Sequence, residues 1–110
     1  MVRLPVVFSA LADKDHAGLI AGLAPIASQW YIAALQTPRA ASVPQLLTAA
    51  KQVSAPSQAL QQFDTLGAAL DKALAESGVG LPVLVCGSFY TVAEALHSLQ
   101  SQVVHQVGGG

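Results

Sequence analysis

Leu81-Pro82-Val83-Leu84-Val85-Cys86-Gly87-Ser88 is the stretch on which the reading of the whole chain turns. An apolar run without polar alternation describes a strand covered on both faces, and an immediate Gly-Ser describes a tight turn out of it. The residues that follow, from Phe89 to about Val104, read as a helix. Thr91 and Glu94 stand in the relation of a capping box and compete with Ser88 for its start. A buried strand passing directly into a helix is the repeating unit of a parallel α/β sheet.

Working outward, the same unit recurs upstream. Residues 4–11 form an apolar run long enough for one buried strand, interrupted by Asp13-Lys14-Asp15-His16, where Asp13 or Asp15 caps a helix reaching about Ser28. Trp30 to Leu35 is the next strand, and Pro38 in Gln36-Thr37-Pro38-Arg39-Ala40-Ala41 ends it. Ser42-Val43-Pro44-Gln45 has the form of a capping box, opening a helix to about Val53. After the loop Ser54-Ala55-Pro56-Ser57, residues 58–63 read as a short edge strand. Asp64 is expected to cap a third helix with an apolar stripe at Leu66, Leu70, Ala73 and Leu74, ended by Ser77-Gly78-Val79-Gly80. The alternation predicts an α/β fold, a three-layer Rossmann-like sandwich with a mostly parallel sheet. It occupies residues 1–107 as one domain, with Gly108-Gly109-Gly110 as a disordered tail.

Composition narrows the functional classes. The chain has 110 residues, 53% hydrophobic and 10% charged, with a formal net charge of -1. Five Lys and Arg against six acids leave no footprint for nucleic acid, and the apolar content excludes a disordered tail. One cysteine and three scattered histidines provide neither an intramolecular disulfide nor a structural zinc cluster. Residues 17–35 carry no charge over a length close to a bilayer span, but Pro25, Ser28, Gln29 and a change from helical spacing to an aromatic and branched run divide them into helix and strand. The N-terminal apolar run is broken by Pro5 and followed by Asp13, a poor signal peptide. A cytoplasmic protein is expected. Its mean hydropathy of +0.52 implies a large buried fraction or a docked neighbour.

Every strand of a parallel sheet points its C-terminal end at one edge, where ligands meet helix N-termini. Asp13-Lys14-Asp15-His16, Thr37-Pro38-Arg39 and Gly87-Ser88-Phe89-Tyr90-Thr91 each follow a strand, and four of the few charged residues fall in the first two clusters. The aspartates serve as helix caps or accept ribose hydroxyls. His16 is a first-turn surface residue or contacts an anionic substrate. Arg39 seals a turn or holds a phosphate or carboxylate. Cys86, inside its strand, reads as inert core. There is no P-loop and no persuasive Ser/His/Asp order.

Asp13-Lys14-Asp15, Trp30-Tyr31, Thr37-Pro38-Arg39-Ala40 and residues 83–93, in this order and spacing, resemble the C-terminal domain of bacterial folylpolyglutamate synthase/dihydrofolate synthase, in the Mur ligase superfamily. The resemblance runs from about Leu4 to Gln100. It implies a domain of an ATP-dependent amide ligase in which ATP and magnesium convert a folate or pteroate carboxylate into an acyl phosphate, attacked by the amine of L-glutamate. It also implies that Asp13 contacts the ATP nucleoside, that His16, Ser88 and Tyr90 lie on the glutamate side, and that Arg39 is a possible anion contact. No catalytic residue and no metal ligand is expected in this segment, since the P-loop and Mg2+ ligands belong to a preceding central domain. The implied partners are that domain and small molecules (ATP, L-glutamate, dihydropteroate or folate), with no nucleic acid and no membrane. The chain departs from the family in lacking its opening βα unit with an Asp-x-Ala-His-Asn-Pro-like motif, and in carrying Tyr90 where some members have His. The alternatives are a free-standing nucleotide-binding or regulatory α/β module and a purely structural interaction domain.

Overall fold

A computed structural model describes residues 3–53, 59–77 and 82–86, together with Thr91, Ala95, Leu96 and Leu99. Its elements run β1 (Leu4–Phe8), α1 (His16–Leu23), a 3-10 turn (Ala24–Ile26), β2 (Ala27–Ala33), α2 (Val43–Val53), β3 (Ala59–Phe63), α3 (Leu66–Ser77) and β4 (Leu84–Cys86). Thr91, Ala95, Leu96 and Leu99 are helical. The four described strands form one sheet in the order β3-β2-β1-β4, and every pairing is parallel.

Alternation along the central strands builds the three layers. Val6, Phe8, Trp30 and Ile32 enter one core with Ile20 of α1 and Leu46, Ala49 and Ala50 of α2. Their chain neighbours Val7, Tyr31 and Ala33 enter the opposite core with Leu66, Ala69, Leu70 and Ala73 of α3 and with Ala95. Successive strand residues point to opposite faces, so fully apolar strands require a helix layer on each side. An edge-to-face pair, Phe8 with Trp30 at 6.1 Å and 85°, fills the first core, and Tyr31 stacks on Phe63 at 6.1 Å on the other.

Several elements differ from their sequence expectation for physical reasons. The first helix ends at Leu23 rather than Ser28, because Pro25 sits in a tighter 3-10 turn and lacks the N–H that would continue the α-helix. The second strand therefore starts at Ala27, three residues before Trp30, and pairs Ala27 with Leu4. The register shifts between Leu4 and Pro5, where the proline has no ladder donor. Thr65, not Asp64, caps α3: its Oγ1 accepts from the Ala68 N–H at 3.1 Å. Leu74 is 39% exposed, and Ala69 takes its place in the buried stripe. The first strand closes at Phe8, and Leu11 instead forms an isolated antiparallel bridge with Ala40. The fourth strand is confined to Leu84–Cys86, with Pro82 and Val83 outside it. The capping box is borne out: Gln45 N–H donates to Ser42 Oγ at 3.3 Å and Ser42 N–H to Gln45 Oε1 at 2.9 Å. The expected 54–57 loop, the 78–80 helix stop, the Gly87-Ser88 turn, Glu94 and the 108–110 tail lie outside the described residues.

Candidate functional site at the C-terminal edge of the sheet

The segment Ser9–Ala12, leaving the end of β1, joins the elements of this edge. Three consecutive carbonyls each accept from a different part of the chain. The Ser9 carbonyl accepts from Thr91 Oγ1 at 3.1 Å, and that of Ala10 from the Ala41 N–H at 2.9 Å. The Leu11 carbonyl lies 2.8 Å from His16 Nε2. The Ala12 N–H donates to the Arg39 carbonyl at 2.8 Å, completing the bridge between the loops after β1 and β2. Backbone groups leaving a buried strand must find partners, and here those partners are neighbouring loops.

This wiring places the expected site residues. Asp15 is the α1 cap, its carboxylate accepting from Gly18 N–H at 3.1 Å. A Cβ at Gly18 would meet the Asp15 carboxylate, which would have to shift. Asp13 is thereby released from capping. It is exposed and stands 3.7 Å from the equally exposed Arg39, an ion pair that is weakly held in water. The clusters following β1 and β2 are thus brought together, and a carboxylate and a guanidinium stand side by side at the edge. His16, the first residue of α1, is half-buried, and its ring is engaged with the Leu11 carbonyl. It also lines a shallow cleft of about 470 Å³ with Gln45, Thr48 and Gln52 of α2. Ser88 and Tyr90 lie outside the described residues, as does the side chain of Cys86. Among the described residues no group of three or more His, Cys, Asp or Glu is placed to hold a metal ion, and no helix is long and apolar enough to cross a membrane.

Sequence reasoning missed the contact from Thr91 to Ser9, which joins positions 82 residues apart and leaves no local signal. It also missed a polar knot away from this edge. The buried Tyr31 hydroxyl donates to Glu76 Oε1 at 2.7 Å, and Gln61 Nε2 donates to the same oxygen at 3.0 Å. Burial first, then the hydrogen bond and negative charge of Glu76, push the Tyr31 hydroxyl up to about 12. The Glu76 carboxyl is lowered, chiefly by the Gln61 and Tyr31 hydrogen bonds.

The chain matches the family described as Mur ligase, glutamate ligase domain over residues 2–89. It is 36% identical over 100 residues to dihydrofolate synthase/folylpolyglutamate synthase of Escherichia coli K12, covering 91% of this chain and 22% of that protein. Among solved structures, the ligand-free bifunctional folylpolyglutamate synthase/dihydrofolate synthase of Yersinia pestis superimposes with a TM-score of 0.76 at 34% identity, over 91% of this chain and 23% of that one. The same enzyme complexed with AMPPNP and Mn gives 0.75 at 35% identity, over 89% and 22%. The chain therefore spans less than a quarter of the length of these relatives.

Proposed function

This chain belongs to the Mur ligase, glutamate ligase domain family, and on that premise we propose that it serves as the C-terminal domain of an ATP-dependent ligase that adds L-glutamate to dihydropteroate or folates. Solved relatives carry AMPPNP with Mn, DHPP with ADP, and Mn with AMPPNP and L-glutamate, which supports those ligands as the small-molecule partners here. When bound, ATP supplies the phosphoryl group that turns a substrate carboxylate into an acyl phosphate open to attack by the amine of glutamate. The described residues provide no metal-ligand set, so no step of the chemistry is assigned to a metal held by them. Their part is to bind and orient.

The observation that carries this reading is the release of Asp13. Asp15 satisfies the helix start, leaving the Asp13 carboxylate exposed at the edge where nucleoside hydroxyls are accepted in sheets of this type. Asp13 is assigned to the nucleoside of ATP, Ser88, Tyr90 and His16 to the glutamate side, and Arg39 to an anion. Of these, His16 has its Nε2 engaged with the Leu11 carbonyl. The domain is taken as residues 1–107, completed by a preceding P-loop domain and working in the cytoplasm, where the lone cysteine needs no partner.

The test is a glutamate-ligation assay on the longer protein that carries this segment. ATP-dependent transfer to dihydropteroate or a folate is expected from it, and none from the 110-residue chain alone. Asp13→Ala should raise the KM for ATP by about tenfold, equivalent to one ordinary charge-assisted contact. A longer protein without ATP-dependent ligation, or an Asp13→Ala variant with an unchanged ATP KM, contradicts the assignment.

A further inference from the structure

We propose, on the reading just given, that Leu11 is a positioning residue of the ligase site: its buried side chain pins the segment after β1 to the core beneath α3, and so sets where Asp13, His16 and Arg39 stand. Leu11 lies beyond the end of β1, in the connection to α1, yet it is only 5% exposed. Connections of this kind run over the surface and do not ask for a large apolar side chain. Here the alternation of the strand outlasts its ladder. Val7 and Leu11 enter the core that holds Leu66 and Leu70 of α3, whereas Phe8 and Ala10 enter the opposite one. Ala12, Asp13, Lys14 and Asp15 are all exposed, so Leu11 is the last hold on the core before the charged loop.

The backbone of Leu11 turns this hold into geometry. It forms the antiparallel bridge with Ala40, flanked by the Ala12 to Arg39 and Ala41 to Ala10 hydrogen bonds at 2.8 and 2.9 Å. Its carbonyl meets His16 Nε2 at 2.8 Å and accepts from the Lys14 N–H at 3.3 Å, closing the turn that carries Asp13. Asp13 follows Leu11 closely in the chain and Arg39 directly precedes Ala40, so the carboxylate and the guanidinium flank the bridged pair. One side chain therefore fixes a backbone unit that carries Asp13, His16 and Arg39 together. Truncating it opens a void that its neighbours fill only in part, and the bridge is free to shift. Because the same unit carries Asp13 and His16, the nucleotide and glutamate sides should loosen together.

The experiment compares Leu11→Ala and Leu11→Met with wild type in the longer protein, with Leu70→Ala as the control. Leu70 is buried in the same core but belongs to the interior of α3 rather than to a loop. The readouts are KM for ATP, KM for glutamate, thermal midpoint and amide exchange at Ala12 and Ala41. Leu11→Ala should raise both KM values by about fivefold or more and speed exchange at the two amides. Leu11→Met, which nearly conserves volume, should restore them. Leu70→Ala should lower the thermal midpoint by a similar amount while both KM values stay within about twofold of wild type. The inference is overturned if Leu11→Ala leaves either KM or the exchange at Ala12 and Ala41 unchanged, if Leu70→Ala raises both KM values as much, or if Leu11→Met is no better than Leu11→Ala. A Leu11→Ala protein that does not fold also overturns it, since Leu11 would then hold the fold rather than the edge. A wild-type protein without glutamate ligation overturns the functional reading and this inference with it, whereas an active wild type in which Leu11→Ala and Leu70→Ala behave alike removes the inference alone.

Discussion

At the C-terminal edge of the sheet, every joint uses a main-chain carbonyl: those of Arg39 and Ala10 accept from the Ala12 and Ala41 N–H groups, and those of Ser9 and Leu11 meet the Thr91 hydroxyl and the His16 ring. Beside α3, side chains are joined to one another, with Tyr31 and Gln61 both donating to Glu76 and Lys72 at 3.8 Å from it. Glu76 also lines a cleft with Arg3, Ser28 and Gln29, which precede or open their strands, so the knot lies toward the opposite end of the sheet. The difference separates structural polarity from polarity available to a ligand. Where side chains consume one another's hydrogen bonds they stabilise the fold and have little left to offer. Where the backbone does the holding, Asp13 and Arg39 stay exposed and weakly paired.

The largest effect on stability is expected from the knot. Tyr31→Phe removes a donor to a carboxylate and should cost about 2 kcal/mol in denaturant unfolding while leaving ligation by the longer protein intact. Its pH dependence sharpens the point. The folded Tyr31 value lies above its unfolded value, so its contribution is complete below about pH 10 and is lost as pH rises towards about 12. Glu76 has the opposite sign: its lowered value contributes above the usual carboxylate range and is lost in acid. Unfolding measured across this range should show an alkaline loss in wild type that Tyr31→Phe lacks; equal slopes would break the comparison at that end.

A smaller effect is expected from Asp15→Ala, which removes the α1 cap and should cost about 1 kcal/mol. Arg39→Ala should change stability by less than about 0.5 kcal/mol, because its pair with Asp13 is long and exposed. A loss above that for Arg39 would mean that side chains, not backbone, hold the edge.

How far the sequence revealed this depends on whether each feature is local. The apolar runs at β1, β2 and β4 and the Ser42–Gln45 box are encoded within a few residues, and they appear in the structure with shifted ends. The polar clusters after β1 and β2 were legible as one edge because parallel strands all point the same way. Which aspartate caps α1 was not legible, since Asp13 and Asp15 are equally good caps; the choice follows from where the Leu11–Ala40 bridge lets the chain turn. Asp64 and Thr65 pose the same ambiguity, resolved by a one-residue difference in where β3 releases the chain. The Tyr31–Glu76 and Thr91–Ser9 contacts span 45 and 82 residues and depend on strand order, which no local pattern contains.

The central claim is that main-chain groups hold the ligand edge and leave the Asp13 and Arg39 side chains exposed. Native-state amide hydrogen exchange of the 110-residue chain tests it at Ala12 and Ala41. The account predicts that both amides exchange with protection approaching that of β1 and β2, well above the amide of the exposed Asp13. Exchange at Ala12 and Ala41 as fast as in an exposed loop would contradict it.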